Sequence, residues 1–232
     1  MTRLIIFDMD GLLLDSEKPF REAWLAEAIK LGYALDHTIY SEVVGRTERD
    51  SREVFCRHFG NDFPYDEICS RVRSFLEHGV TRSGHLQKAG AVELLQYLAS
   101  RSVPCVVATS TVRPQAQARL QNAKILSYFQ EVTGGDEVRH GKPDPDLFLL
   151  AAKKQGASPQ DCLVLEDSEY GARAAHAAGM PVIVIPDLKE PPADVRNFSL
   201  GVYASLFEAR TTVEHWLNNS GTAGIAPPVR PD

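Results

Sequence analysis

The sequence predicts an α/β protein: a doubly wound, Rossmann-like parallel sheet with a small all-helical cap inserted after the first strand. Three observations predict it. Four short apolar runs recur along the chain, at Leu4–Phe7, Pro104–Ala108, Cys162–Leu165 and Pro181–Ile185. Near-continuous apolar strands belong to a sheet covered on both faces, which is usually parallel. Helical patterns separate these runs, the alternation of a doubly wound core. Residues 16–84 break the alternation with helical patterns and no convincing strand.

Leu4–Phe7 is too short for a helix and feeds a tight turn at Asp8-Met9-Asp10-Gly11, where Gly11 supplies backbone freedom. Phe20, Trp24, Ala28 and Leu31 then lie on one helical stripe, which Gly32 ends. Glu48–Phe59 and Asp66–His78 are two further helices by pattern. The core resumes near Leu86–Gly90. Ala91–Ser100 is a helix carrying Val92, Leu94, Leu95 and Leu98. The strand at Pro104–Ala108 ends in Thr109-Ser110-Thr111, and Val112–Asn122 is compatible with a helix. Asp144–Gln155 buries Leu147, Phe148, Ala151 and Ala152, with Gly156 as its stop. The third strand ends in Glu166-Asp167-Ser168, and an alanine-rich helix follows over Gly171–Ala178. The expected organisation is a core of 1–15 and 85–217, a cap of 16–84, and a disordered tail over 218–232, which is rich in Gly and Pro and lacks apolar periodicity.

Composition bounds the function. The 232 residues are 44% hydrophobic and 24% charged, as in ordinary globular proteins. A net charge of −6 argues against a broad nucleic-acid-binding face. The apolar run before Asp8 is shorter than a signal peptide needs, and no segment is long enough to span a bilayer, so a cytoplasmic protein is expected. Cys56, Cys69, Cys105 and Cys162 have no C-x-x-C or zinc-ligand spacing and read as reduced, structural thiols.

In an open α/β sheet, ligands bind at the carboxyl ends of the strands. Three apolar runs end there in reactive residues: Asp8 and Asp10, Thr109 and Ser110, Glu166 and Asp167. Four carboxylates at one edge repel each other, and a hard divalent cation such as Mg²⁺ resolves the repulsion. A phosphate would follow the metal. Asp8 is then placed to attack phosphorus and Asp10 to protonate the leaving oxygen. Lys142, between Gly141 and Pro143, is a phosphate-binding candidate on a stiff turn. Plainer readings stand beside these. Asp8 and Asp10 fit a turn with Asx-type hydrogen bonds, and Thr109, Ser110, Glu166 and Asp167 fit helix caps.

Asp8-Met9-Asp10-Gly11, Thr109-Ser110, Lys142-Pro143 and Glu166-Asp167-Ser168, in that order, resemble the four motifs of the haloacid dehalogenase superfamily. The resemblance spans nearly the whole chain and includes the inserted cap. It implies that Asp8 is the nucleophile and forms an aspartyl-phosphate. Asp10 would be general acid and base, its backbone carbonyl also a Mg²⁺ ligand. Thr109 and the Ser110 backbone N–H would hold the phosphoryl oxygens, and Lys142 would offset charge between Asp8 and phosphate. Glu166 and Asp167 would complete a Mg²⁺ site that includes Asp8 and Asp10.

The stretch Phe7 to Glu17 is similar to a branch of sugar phosphatases, pseudouridine 5′-phosphatases and β-phosphoglucomutases. It implies a Mg²⁺-dependent phosphatase acting on a small sugar or nucleoside phosphate. A hexose-phosphate mutase is the alternative, and a non-catalytic phospholigand-binding protein is another. The mutases carry an acid-positioning histidine where this chain has Phe20, which weighs against that reading. Among the cap arginines, Arg46, Arg49, Arg52, Arg57, Arg71 and Arg73, most fit a solvated face. Arg46, beside Gly45, is the first candidate for substrate contact, and Glu17 is another. Glu17 equally fits an acid at a helix N-terminus. The expected partner is a small phosphorylated metabolite, with no nucleic acid and no membrane, on a monomer or weak dimer.

Overall fold

The computed structural model describes residues 3–72 and 87–219. Six parallel strands form one sheet in the order β3-β2-β1-β4-β5-β6. These are β1 Leu4–Phe7, β2 Cys105–Ala108, β3 Glu131–Thr133, β4 Cys162–Glu166, β5 Val182–Val184 and β6 Gly201–Val202. β1 lies at the centre, and the chain winds outward from it in both directions.

The pleat explains the two layers. Successive strand side chains point to opposite faces. Ile5 and Phe7 pack with α5 (Ala91–Ser100), α6 (Arg113–Asn122) and α10 (Leu206–Asn218). Leu4 and Ile6 pack with α7 (Asp146–Lys154), α8 (Glu169–Ala177) and α9 (Ala193–Phe198). All four β1 side chains are buried. A fully buried aliphatic of this kind contributes about 1.5–3 kcal/mol.

The sheet exceeds the four expected strands by two. β3 and β6 are three and two residues long, and neither is a continuous apolar run. They are strands because a neighbour supplies the ladder: Val106 pairs with Glu131, and Ile183 with Gly201. α7 is shorter at both ends than the pattern predicts, and α8 begins earlier, at Glu169.

Between β1 and α5 the described chain is helical: α1 Glu17–Lys30, α2 His37–Ser41, α3 Glu48–Phe59 and α4, residues 65–72. They share an apolar cluster of their own, in which Trp24 stacks on Phe55 at 5.1 Å. Trp24 is 3% exposed and belongs to this cluster's core. The rest of the Asp66–His78 pattern, and Arg73, lie outside the described residues. So does the tail from residue 220 onward, while Asn218 still belongs to α10.

All four cysteines are free. Burial pushes the Cys105 thiol up to about 12 and, with Asp161 adding to it, the Cys162 thiol up to about 11. Both therefore stay protonated and behave as small hydrophobes. Among the described residues, no helix is long and apolar enough to cross a membrane.

Candidate active site

Register builds the site. Phe7 lies level with Val107 and Leu165, so the next rung holds Asp8, Ala108 and Glu166. The turn after β1 is closed by Gly11 N–H to the Leu14 carbonyl at 2.9 Å, with Gly11 at φ 85°. This turn presents Asp8 and Asp10 at the same edge.

Lys142 reaches that edge from the loop before α7. Its Nζ donates to Asp8 Oδ1 and to Glu166 Oε1, both at 2.5 Å. Lys142 is 1% exposed, Asp8 6% and Glu166 0%. Burial alone would lower the lysine, but the charges and hydrogen bonds of Asp8 and Glu166 outweigh it and hold Lys142 above its ordinary range. Burial raises Asp8, Lys142 draws it down, and Glu166 raises it again, leaving the carboxyl at about 7.

Asp8, Glu166 and Asp167 each bring one carboxylate oxygen to within 4.8 Å of the others. Three buried carboxylates face one ammonium. An all-oxygen set with surplus negative charge fits a hard divalent cation. The Asp10 carboxylate is not in this group. It accepts from Ser16 Oγ at 2.7 Å, Thr111 Oγ1 at 2.8 Å and Arg119 Nη1 at 3.0 Å.

The cap readings do not hold. α6 begins at Arg113 with Val112 at its N-cap, so neither Thr109 nor Ser110 caps it. Thr109 is 1% exposed, and its Oγ1 accepts from the Thr111 N–H at 3.1 Å. Ser110 Oγ donates to the Gly45 carbonyl at 2.9 Å, joining sheet edge to helical insert. α8 is capped by Ser168, whose Oγ accepts from the Gly171 N–H, so neither Glu166 nor Asp167 is its cap. Asx-type bonding does not account for Asp10 either, since its carboxylate accepts from side chains.

A cleft of about 140 Å³ opens above these groups, between sheet edge and insert. Asp8, Asp10, Thr109, Ser110, Asp167 and Arg46 all line it. Arg46 crosses the cleft: its Nη2 donates to Tyr170 Oη at 2.9 Å, and its guanidinium lies 4.3 Å from that ring. The other arginines are mostly spent on surface pairs, Arg52 with Asp66 and Arg71 with Glu67. Glu17 opens α1, but its side chain lies outside the described residues.

Arg119, Ser16, Thr111 and Tyr170 escaped the sequence reading. A signal for Arg119 existed. Gln115 and Arg119, at i and i+4, fall on one side of α6 below its N-cap Val112, and all three line the cleft.

Comparison with known proteins agrees with this geometry. The haloacid dehalogenase-like hydrolase family matches residues 2–179. A Drosophila melanogaster protein named "Probable pseudouridine-5′-phosphatase" is 34% identical over 188 residues, covering 78% of this chain and 80% of that protein. A "Phosphorylated carbohydrates phosphatase" of Thermotoga maritima is 30% identical over 176 residues, covering 76% and 81%. The crystal structure of a β-phosphoglucomutase from Clostridium difficile shares the fold, with a TM-score of 0.79 at 20% identity over 94% of this chain and 98% of that one. An aspartate-rich sheet edge, a buried lysine between two carboxylates and a helical insert above them thus sit in a chain that belongs to the haloacid dehalogenase-like hydrolases.

Proposed function

We propose that the protein is a Mg²⁺-dependent phosphatase that hydrolyses a small sugar or nucleoside phosphate through an aspartyl-phosphate on Asp8. The observation that carries this is the buried Asp8–Lys142–Glu166 cluster, whose Asp8 lines the cleft together with a second aspartate two residues beyond it. The phosphatase names of the Drosophila and Thermotoga relatives support the substrate class.

Asp8 Oδ attacks phosphorus. The bond to the leaving oxygen breaks, and its electron pair takes a proton from Asp10. Water then attacks the phosphorus of the acyl phosphate and gives a proton to Asp10. The Asp8 oxygen–phosphorus bond breaks, and inorganic phosphate leaves. Lys142 sits where it offsets charge on Asp8 and on the incoming phosphate. Thr109 and the Ser110 N–H hold phosphoryl oxygens, while Arg46 contacts the leaving group and Glu17 is the second candidate for that role. Asp8, Glu166, Asp167 and the Asp10 backbone carbonyl would hold the Mg²⁺. When bound, the metal neutralises the negative charge that nucleophile and phosphate bring together. The helical insert acts as a cap that keeps bulk water from the first step.

The test is release of inorganic phosphate from sugar phosphates, nucleotides and pseudouridine 5′-phosphate, with and without Mg²⁺. Release should require Mg²⁺, and Asp8→Asn should abolish it. Undiminished release by Asp8→Asn would remove the aspartyl-phosphate. Isomerisation of glucose 1-phosphate without release would turn the reading to a mutase.

A further inference from the structure

We infer that Arg119 is the positioning residue for the Asp10 carboxylate, fixing the direction in which Asp10 delivers its proton. The inference rests on the acid role of Asp10 proposed above. Arg119 lies two turns into α6, and helical side chains lean toward the N-terminus, which here faces the sheet edge. Its Nη1 donates to Asp10 Oδ1 at 3.0 Å. Its side chain is 22% exposed and that of Asp10 16%, so the pair is largely shielded from water.

The other two donors to the carboxylate are hydroxyls. Ser16 Oγ shares Oδ1, and Thr111 Oγ1 takes Oδ2. A hydroxyl rotates freely about its C–O bond and imposes little direction. A guanidinium is planar and rigid, and its charge-assisted bond is stronger. The three donors come from separate segments: the approach to α1, the loop after β2, and α6. Arg119 alone among them stands on a long helix. Its guanidinium also lies 5.7 Å from the Phe20 ring of α1. Phe20 offers no hydrogen bond, but its ring face supports the cation that does. The acid is therefore oriented from the sheet-bearing half of the molecule, and an aromatic residue of the insert steadies that support.

The competing role is direct substrate contact, since Arg119 lines the cleft. Leaving-group chemistry separates the two. An alkyl phosphate needs a proton on its departing oxygen, whereas 4-nitrophenyl phosphate releases a stable phenolate without one. In addition, kcat/KM reports only steps through departure of the alcohol, so later use of Asp10 as base does not enter.

Arg119→Ala and Arg119→Lys are assayed on both substrates, using the alkyl phosphate preferred in the release panel. Arg119→Ala should lose about 100-fold in kcat/KM on the alkyl phosphate, the scale of a misplaced catalytic group, through kcat rather than KM. On 4-nitrophenyl phosphate it should stay within about threefold of wild type. Arg119→Lys keeps the charge without the fork and should recover part of the loss. In an Asp10→Asn background, Arg119→Ala should cost nothing further, because the two residues act as one unit. Equal losses on both substrates would mean a structural role and overturn the inference. A loss confined to KM would mean substrate contact and also overturn it. Wild-type protein that releases phosphate from neither substrate would instead remove the phosphatase reading, and the inference with it.

Discussion

Glu166 ends β4 fully buried, and its four hydrogen bonds explain how a carboxylate is tolerated there. Lys142 takes Oε1, while the Asp167 and Ser168 N–H groups and Ser168 Oγ take Oε2. The space for that carboxylate comes from Gly171. A Cβ at residue 171 would lie 1.8 Å from Glu166 Oε1. The carboxylate is pinned from both sides and has nowhere to retreat. Gly171→Ala should therefore destabilise the protein by about 1–3 kcal/mol, the usual range for overpacking. Thermal unfolding would show it, and phosphate release should fall with it because Glu166 carries Lys142. A Gly171→Ala variant with wild-type Tm and activity would refute this. At this scale Asp8, Asp10 and Glu166 were legible from charges that follow apolar runs, and Lys142 from the Gly and Pro that stiffen its turn. Arg119 left a signal in its spacing from Gln115, but a charged residue inside a helix usually faces water. Only the docking of α6 against the cleft turns it inward.

α6, β3 and α7 meet around a set of charges that ties together the loops beside the cleft. Arg113 pairs with Glu131 at 2.8 Å, and Lys154 with Glu131 at 3.2 Å and Glu137 at 2.6 Å. Glu137 Oε1 also accepts from the Gly134 N–H, closing the 3₁₀ turn Gly135–Glu137. Burial raises the Glu137 carboxyl, but Lys154, the Gly134 N–H and Arg113 outweigh it and hold it below the usual carboxylate range. A depressed carboxyl contributes stability at pH above its unfolded value and loses it as pH falls through the folded one. Glu137→Gln keeps the hydrogen bond to Gly134 and removes the charge. It should cost about 0.5 kcal/mol at neutral pH, and the difference from wild type should disappear in acid, once pH falls below the folded carboxyl value. Urea unfolding at both pH values checks this, and a gap that persisted in acid would assign the effect to packing. The same elements show where sequence reading stops. α5, β1, β2 and β4 carry their own patterns. β3 and β6 do not, since short strands of Glu131, Thr133 and Gly201 owe their state to neighbours already in register.

Sheet edge and insert are bridged across the cleft by Ser110 Oγ on the Gly45 carbonyl and by Arg46 on Tyr170. On the N-terminal side, Asp15–Glu17 joins the sheet to the insert. Closure and opening of the proposed cap would break and re-form these contacts. Solution scattering should therefore report a smaller radius of gyration with Mg²⁺ and a phosphate analogue than without them. Identical profiles would mean that the insert does not move. The helical character of the chain between β1 and α5 was legible, because the apolar run ends at Phe7 and only helical patterns follow it before Leu86. The placement of the insert over the edge was not, because it depends on bonds such as that from Ser110 to Gly45, between residues far apart in the chain. The central position of β1 has one more consequence. Ile5 pairs with Cys105 on one side and Leu163 on the other. During synthesis the first strand is made before either partner: one edge stays bare until Cys105–Ala108 follows and the other until Cys162–Glu166. The helices of the insert, built on short-range contacts, can assemble meanwhile. The helical insert is thus able to form before the sheet whose edge carries Asp8.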